Sequence, residues 1–124
     1  MNLLLDTHAL LWWLKGARLR AQASDAIADR DNRVVVSAAA IWEIAIKQAL
    51  GKLRVQSSIV DAARAQGFEQ LPVSLAHAEH VGALPAHHRD PFDRMLVAQA
   101  QVESLTVVTR DPRFGAYDVA VLAC

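Results

Sequence analysis

The sequence contains four acidic side chains whose positions indicate a shared metal site: Asp6, Glu43, Asp93 and Asp111. Carboxylates brought together repel each other and resist losing their hydration, so such a group needs a cation to hold it together. Mg²⁺ and Mn²⁺ prefer oxygen ligands, and Mg²⁺ is usually bound through one or two carboxylates together with substrate phosphate. These residue types therefore point to phosphoryl-transfer or phosphodiester chemistry, in which a metal activates water and neutralises the leaving oxygen.

Two of the acids follow apolar runs that are typical of buried strands. Asp6 comes directly after Leu3–Leu5, and Asp111 follows Leu105–Val108 after two further residues. Binding sites in open α/β sheets form at the carboxyl ends of the strands, so we expect both acids at one edge of a sheet. Each acid also has a simpler interpretation. Asp6 could simply cap the next helix, and Asp111, which precedes Pro112, could simply start a turn.

The other two acids lie near the starts of predicted helices. Glu43 lies in the first turns of a helix predicted over Ala38–Leu50, and Asp93 opens a helix predicted over Phe92–Val102. Taken alone, Glu43 could pair with Lys47 on an exposed helix face, and Asp93 could simply interact with the helix dipole. The shared location of the four acids, rather than any one of them, carries the prediction of a site.

The elements that must position these acids alternate along the chain. Short apolar runs predict strands over Leu3–Leu5, Val34–Val36, Gln70–Val73, Leu105–Val108 and Val119–Leu122. Longer amphipathic stretches predict helices over Thr7–Leu14, Ala21–Arg30, Ala38–Leu50, Ser58–Ala65, Ala76–Leu84 and Phe92–Val102. Continuous apolar strands suit a sheet that is covered on both faces. This alternation predicts one α/β domain over residues 1–124, with a central, mostly parallel sheet flanked by helices.

The composition limits the classes of function. A chain of 124 residues with 53% hydrophobic and 21% charged residues is typical of one globular domain. Thirteen basic and thirteen acidic residues give no net charge, so composition offers no support for non-specific coating of nucleic acid. Cys124 is the only cysteine, which fits a reducing compartment. The apolar start is broken by Asp6 and His8 and is too short to cross a bilayer, so we expect a cytoplasmic protein without membrane contact.

Other metal chemistries find less support in the sequence. No group of cysteines and histidines has the spacing of a zinc site. A haloacid-dehalogenase-like phosphatase is disfavoured, because no second aspartate stands two residues after Asp6. His8 is expected to pack at a helix start, and His87 and His88, with no third ligand in view, are expected to be solvated loop residues. Packing in the core or at a dimer interface is the expectation for Trp12, Trp13 and Trp42.

Three segments resemble the PIN-domain family, and within it the VapC-type toxins of bacterial toxin–antitoxin pairs. They are LLLDTHALLWWL at the start, VVVSAAAIWEIAIKQALGKL in the second quarter and DPFDRMLVAQAQVESLTVVTRD near the end. They follow each other in order over essentially the whole chain. The resemblance implies a PIN-like domain that cuts RNA as a Mg²⁺- or Mn²⁺-dependent endoribonuclease. It also implies a cognate antitoxin as inhibitor and a homodimer as the usual assembly.

The resemblance assigns the family's acids to particular residues of this chain: Asp6, Glu43, Asp93 and Asp111. Asp90 is an alternative for the third position, because both acids lie in the segment DPFD. Asp93 is preferred, since the family acid directly precedes the stretch Arg94-Met95-Leu96-Val97-Ala98. Asp90 then caps the helix, with Pro91 at its first position.

The roles expected from the resemblance are divided among these acids. Asp6 and Asp93 ligate the metal most directly, and Asp111 completes the site directly or through water. Glu43 orients or deprotonates the attacking water, or holds a second metal ion, and the number of metal ions stays open.

Neighbouring residues receive supporting roles. RNA-backbone contacts are predicted for Lys47, Arg94 and Arg110, the alternative being surface charges that pair with nearby carboxylates. Orientation of the carboxylates is predicted for Ser37, Asp90 and Thr109, the alternative being plain capping or turn roles.

Two other functions remain compatible with the same residues. The first is a metal-dependent phosphoesterase that acts on DNA or on a small phosphate compound. The second is a catalytically silent PIN-fold module that only binds RNA or a protein partner.

Overall fold

A five-stranded, all-parallel sheet forms the centre of the computed structural model, which describes all 124 residues. The strands are β1 (Asn2–Leu5), β2 (Arg33–Ser37), β3 (Glu69–Leu71), β4 (Thr106–Thr109) and β5 (Val121–Ala123). The helices are α1 (Thr7–Leu14), α2 (Ala21–Ala28), α3 (Ala38–Ala49), α4 (Ile59–Ala65), α5 (Leu75–Val81) and α6 (Pro91–Glu103), with a 3₁₀ helix over Pro112–Ala116. The predicted α/β fold with a parallel sheet flanked by helices is confirmed.

Several predicted elements have different bounds in the structure, and three of them illustrate the reason. β3 stops at Leu71, because Pro72 has no N–H with which to continue the ladder. The last strand starts at Val121 instead of Val119, whose N–H donates to a carbonyl in the preceding turn. α5 starts one residue earlier than predicted and ends at Val81 rather than Leu84. Local turn hydrogen bonds decide these boundaries, and an apolar pattern does not reveal them.

Both faces of the sheet are buried under helices, and this accounts for the apolar runs. Within β1, Leu3 and Leu5 point into one apolar cluster, and Leu4 points into the other. Side chains alternate across a strand, so only a sheet covered on both sides can bury all three leucines. Burying each leucine contributes about 1.5–3 kcal/mol. No helix is both long and apolar enough to cross a membrane.

The strand order places the chemistry-bearing residues. The order β3-β2-β1-β4-β5 means that the chain moves to one side of β1 first and to its other side later. Ligands of open α/β sheets bind at such a switch point, outside the carboxyl ends of the strands. Asp6 follows β1 and Asp111 follows β4, and the Asp6 N–H donates to the Val108 carbonyl at 3.1 Å. The two acids therefore flank the switch point.

Candidate acidic metal site

Asp6 is held by two donors at the junction of β1 and α1. Its Oδ1 accepts from the Ala9 N–H at 2.8 Å, and its Oδ2 accepts from Thr109 Oγ1 at 2.5 Å. The side chain therefore caps α1 and also joins β1 to β4. Burial raises the pKa of Asp6, while the Thr109 and Ala9 hydrogen bonds act in the opposite direction. The Asp6 carboxylate can therefore cap α1 and belong to the acidic site at the same time.

Glu43 lies in the middle of α3 and is almost completely buried, with 4% of its surface exposed. Its Oε1 accepts from Thr7 Oγ1 at 2.7 Å, and its Oε2 contacts Lys47 Nζ at 2.6 Å. The i, i+4 pair with Lys47 therefore exists, but it does not lie on the exposed face that would make it a simple surface pair. The contact with Thr7, next to Asp6 in the chain, ties α3 to the start of α1.

Asp93 lies in the first turn of α6 and experiences the combined charge of the other acids. Burial is the main cause that raises its pKa to about 7, followed by the negative charges of the acids around it: Asp90, Asp6, Glu43 and Asp111. Contacts in the structure link the four acids as well. Thr109 Oγ1 donates to Asp6 and accepts from the Asp111 N–H, Thr7 beside Asp6 donates to Glu43, and His88 Nε2 lies within 3.5 Å of both Asp93 and Asp111. The tertiary structure therefore brings all four predicted acids to one place. Each lies at the edge of the sheet where the sequence predicted it.

Asp90 caps α6 by accepting from the N–H groups of Phe92 at 2.8 Å and Asp93 at 3.1 Å. Pro91 occupies the first helical turn, as expected from its missing N–H. The capping role predicted for Asp90 is therefore confirmed. Its charge also contributes to the raised pKa of Asp93.

Asp111 is the most exposed of the four acids and the only one bound by a guanidinium group. Its carboxylate accepts from Arg113 Nε at 3.1 Å and from Arg113 Nη2 at 2.9 Å, and it caps the 3₁₀ helix. The Arg113 hydrogen bond is the main cause that lowers the pKa of Asp111. The turn-starting interpretation is correct for this residue and does not exclude a second role. Arg113 lies only two residues from the acid, but no motif in the sequence indicates its contact with Asp111.

The prediction that His88 is a solvated loop residue is wrong, because the side chain is buried in the site. Only 3% of its side chain is exposed, and Nε2 lies 2.8 Å from Asp93 Oδ2 and 3.5 Å from Asp111 Oδ2. The ring packs edge-on against Phe114 at a centroid distance of 6.2 Å. Phe114 comes from the segment after β4, so no local pattern around His88 indicated its burial. His87 is exposed, as predicted.

A divalent cation fits the chemistry of these side chains. The possible ligand atoms of His88, Asp93 and Asp111 lie within 4.8 Å of one another. Ionisation of Asp93 is unfavourable in its partly buried position, and a cation would offset that penalty. Asp6 lies outside this close group, and its role as a ligand remains a prediction. The oxygen-rich set matches a hard ion such as Mg²⁺ or Mn²⁺.

Two hydroxyl residues, Thr109 and Ser37, were predicted to orient carboxylates, and only Thr109 contacts one. Thr109 binds the Asp6 carboxylate, which agrees with a role in orienting it. Ser37 contacts no acid, so the prediction that it orients a carboxylate is corrected. Its Oγ donates to Gln99 Oε1 at 2.5 Å and caps α3, while Gln99 Nε2 donates to the Pro72 carbonyl at 3.3 Å. Ser37 therefore stabilises the sheet edge beneath the site.

The three basic residues predicted to hold RNA differ in their availability. The RNA contact predicted for Arg94 is corrected, because its two terminal nitrogens donate to three backbone carbonyls and to the Tyr117 hydroxyl. Those contacts join α5 and α6 and leave it little capacity to bind phosphate. Arg110 is exposed and lies 4.0 Å above the Trp12 ring. Lys47 is partly exposed beside Glu43. Arg110 and Lys47 remain predictions as RNA contacts.

Two of the three tryptophans pack against the core, and the third is exposed. Trp12 and Trp13 pack, half-buried, against the apolar cluster beneath α1, which agrees with the expectation of packing. Trp42 is 64% exposed and touches Phe92 edge-on at 5.2 Å, so it is not a core residue of this chain. His8 stacks on Trp12 at the start of α1, as expected.

Comparison with known proteins gives a family match and a set of similar folds. The family model described as PIN domain matches residues 3–120. The fold is similar to a chain of VapBC2 from Rickettsia felis, solved bound to a DNA fragment from their promoter, with a TM-score of 0.74 and 15% identity over 99% of this chain and 98% of that one. No curated protein sequence matches significantly.

Two further structures are similar over nearly their full lengths. DNA-bound VapBC from Salmonella typhimurium matches with a TM-score of 0.70 and 18% identity, over 99% of this chain and 98% of that one. VapBC-5 from Mycobacterium tuberculosis, a member of the VapBC family of toxin–antitoxin systems, matches with a TM-score of 0.60 and 22% identity, over 98% and 96%. At these identities the likeness establishes the fold.

Proposed function

Because the chain belongs to the PIN domain family, we propose that it is the toxin of a type II toxin–antitoxin pair that cleaves RNA as a Mg²⁺- or Mn²⁺-dependent endoribonuclease. The observation that carries this proposal is the grouping of the acids at one edge of the sheet, where the possible ligand atoms of Asp93, Asp111 and His88 lie within 4.8 Å of one another and Thr109 binds Asp6 at the same edge. A site that gathers several carboxylates is suited to a hard cation and a phosphate substrate.

Each acid is proposed to act from the position in which the fold holds it. Asp93, Asp111 and Asp6 hold the metal, and Asp6 is kept in one orientation by Thr109 and the N-terminus of α1. A bound Mg²⁺ or Mn²⁺ would supply Lewis-acid stabilisation of the phosphodiester and lower the pKa of a coordinated water. Glu43 would orient the attacking water.

Glu43 is held from both sides in a way that suits such a role. The Thr7 hydroxyl fixes one carboxylate oxygen, and the Lys47 ammonium group contacts the other. These contacts prevent the carboxylate from rotating freely between conformations. A carboxylate held in one geometry orients a water molecule more effectively than a mobile one.

The proposed partners follow from the similar structures. Those relatives were solved as VapBC toxin–antitoxin complexes, which supports a cognate antitoxin as the inhibitor of this chain. A homodimer and a cytoplasmic location are proposed with it. The proposed contacts to the RNA backbone are Lys47, whose side chain is partly exposed, and Arg110, an exposed residue whose guanidinium group also donates to the Cys124 carbonyl.

The test uses purified, antitoxin-free protein with three substrates: a structured RNA, a single-stranded DNA and a generic phosphoester. Each is incubated with Mg²⁺, Mn²⁺ or EDTA. We expect metal-dependent RNA cleavage that is lost in Asp6→Asn and Asp93→Asn and retained in Asp118→Asn, which removes an exposed carboxylate from the loop before β5.

Three other outcomes would contradict this proposal or indicate one of the alternative functions. RNA cleavage that survives both site substitutions would refute the assignment of the acids. Cleavage of DNA or the phosphoester alone would indicate a different phosphoesterase. Well-folded protein that cleaves nothing would indicate a silent binding module.

A further inference from the structure

The imidazole ring of His88 is fixed in one orientation inside the acidic site. Its backbone N–H donates to the Tyr117 hydroxyl at 2.9 Å, and the face of the ring is fixed by the edge-on contact with Phe114. Its Nδ1 accepts from the Asp90 N–H at 3.3 Å. The ring is therefore held by Phe114 and by the Asp90 N–H, and Tyr117 holds the backbone beneath it. None of the roles proposed above for the four acids uses this side chain.

The contact with Asp90 determines which ring nitrogen of His88 carries the proton. A backbone N–H is always a donor, so the Nδ1 that receives it must be unprotonated. In the neutral ring the proton then lies on Nε2, which faces the acids. An Nε2 that carries a proton has no lone pair for a metal ion. The ring is therefore arranged as a hydrogen-bond donor toward the carboxylates.

Two carboxylate oxygens lie close to His88 Nε2, but neither is aligned to accept its proton in a hydrogen bond. Asp93 Oδ2 lies 2.8 Å away and Asp111 Oδ2 3.5 Å away, yet neither contact has hydrogen-bond geometry, and Nε2 is a buried polar atom without a partner. Buried N–H groups are rarely left in this state. Hydrogen bonds at active sites are often poorly aligned in the free protein and tighten when the site is filled.

We propose that His88 is a positioning residue that, when a divalent cation binds, donates its Nε2–H to the Asp93 carboxylate and presents the other oxygen of Asp93 to the cation. The proposal rests on the proposed metal site and adds a residue outside the four acids. Because the ring is neutral in this state, it orients a carboxylate without opposing the cation by charge. Outer groups that orient a metal-ligating carboxylate typically change metal affinity by about 10- to 100-fold.

The first test measures Mn²⁺ affinity in the absence of RNA by isothermal titration calorimetry. His88→Phe retains a ring against Phe114 and removes both nitrogens, and His88→Gln places an amide donor near the position of Nε2. We expect about 10- to 100-fold weaker Mn²⁺ binding in His88→Phe, with most of it restored in His88→Gln. His87→Phe changes the exposed neighbouring histidine and serves as the matched control.

The second test reads the ring directly in the wild-type protein, so it does not depend on how well a variant folds. Nitrogen NMR of ¹⁵N-histidine-labelled protein is recorded without metal and with diamagnetic Mg²⁺. We expect Nε2 of His88 to keep its proton in both states. Loss of that proton on Mg²⁺ binding would overturn the proposal, because His88 would then be a ligand.

A failure of this inference differs from a failure of the proposed function. If Mn²⁺ binding is lost in Asp93→Asn but unchanged in His88→Phe, the metal site stands and the positioning role is refuted. If Asp93→Asn binds Mn²⁺ as tightly as the wild type, the metal site itself is refuted.

Discussion

The substitution Asp93→Asn is expected to make the metal-free protein more stable at neutral and alkaline pH while it destroys the proposed metal site. Folding raises the pKa of Asp93 from 3.8 to about 7, so folding opposes its ionisation. Asparagine has nearly the same shape and no charge. The substitution therefore removes the repulsion and retains an oxygen in the position of the carboxylate.

The size of this effect follows from the pKa difference. The folded state binds more protons than the unfolded state between pH 3.8 and about 7, so stability falls as the pH rises through that window. The full difference corresponds to about 4 kcal/mol. Since the carboxylate keeps some contact with water, screening reduces the expected gain to roughly 2 kcal/mol above pH 7. The difference should shrink as the pH falls toward 4 and would vanish only well below pH 3.8, where Asp93 is protonated in both states.

The assay is urea denaturation in EDTA at several pH values from about 4 to 8, compared with Asp118→Asn as a charge-matched control. The control should stay within about 0.5 kcal/mol of the wild type. Adding Mn²⁺ should reverse the order, because an ion that binds only the folded wild type stabilises it by mass action. A variant that is less stable than the wild type in EDTA at pH 8 would refute the reasoning, as would a difference that does not change with pH.

Three further outcomes are expected from side chains around the site. Gln99→Leu should lower the free energy of unfolding by about 1–3 kcal/mol in urea denaturation, because it leaves buried polar partners at the sheet edge unpaired. Tyr117→Phe removes the acceptor of the His88 N–H, so it should lower both the melting temperature and the Mn²⁺ affinity, whereas equal affinity would count against the role of His88. Arg113→Ala should raise the pKa of Asp111 in carbon NMR titrations, because the guanidinium group holds that pKa down, and should change the free energy of unfolding little, since Arg113 is exposed.

The expectation for Asp93 has one physical origin, which is that the site concentrates like charges in a partly buried place. Burial raises the pKa of Asp6 and of Asp93, and the fold supplies donors to only some of the carboxylate oxygens. Arrangements of this kind destabilise the free protein and favour binding of a cation. Stability and metal affinity are therefore expected to change in opposite directions at Asp93.

The fold was largely readable from local sequence. Apolar runs such as Leu3–Leu5 and Val34–Val36 were correctly predicted as strands, because continuous hydrophobicity over a few residues fits a strand that is buried on both faces. Strand ends such as that at Leu71 were less predictable. They depend on turn hydrogen bonds and on single residues such as Pro72 rather than on a repeating pattern.

Within the site, the sequence by itself determined which acids follow strand ends or open helices, and it identified Asp90 as the cap of α6. Only the tertiary structure showed that His88 is buried beside Asp93 and that Arg94 is bound by carbonyls. Strand-end and capping positions are properties of a few consecutive residues. Burial of His88 depends on Phe114, which lies 26 positions further along the chain and contacts the ring only through the tertiary fold.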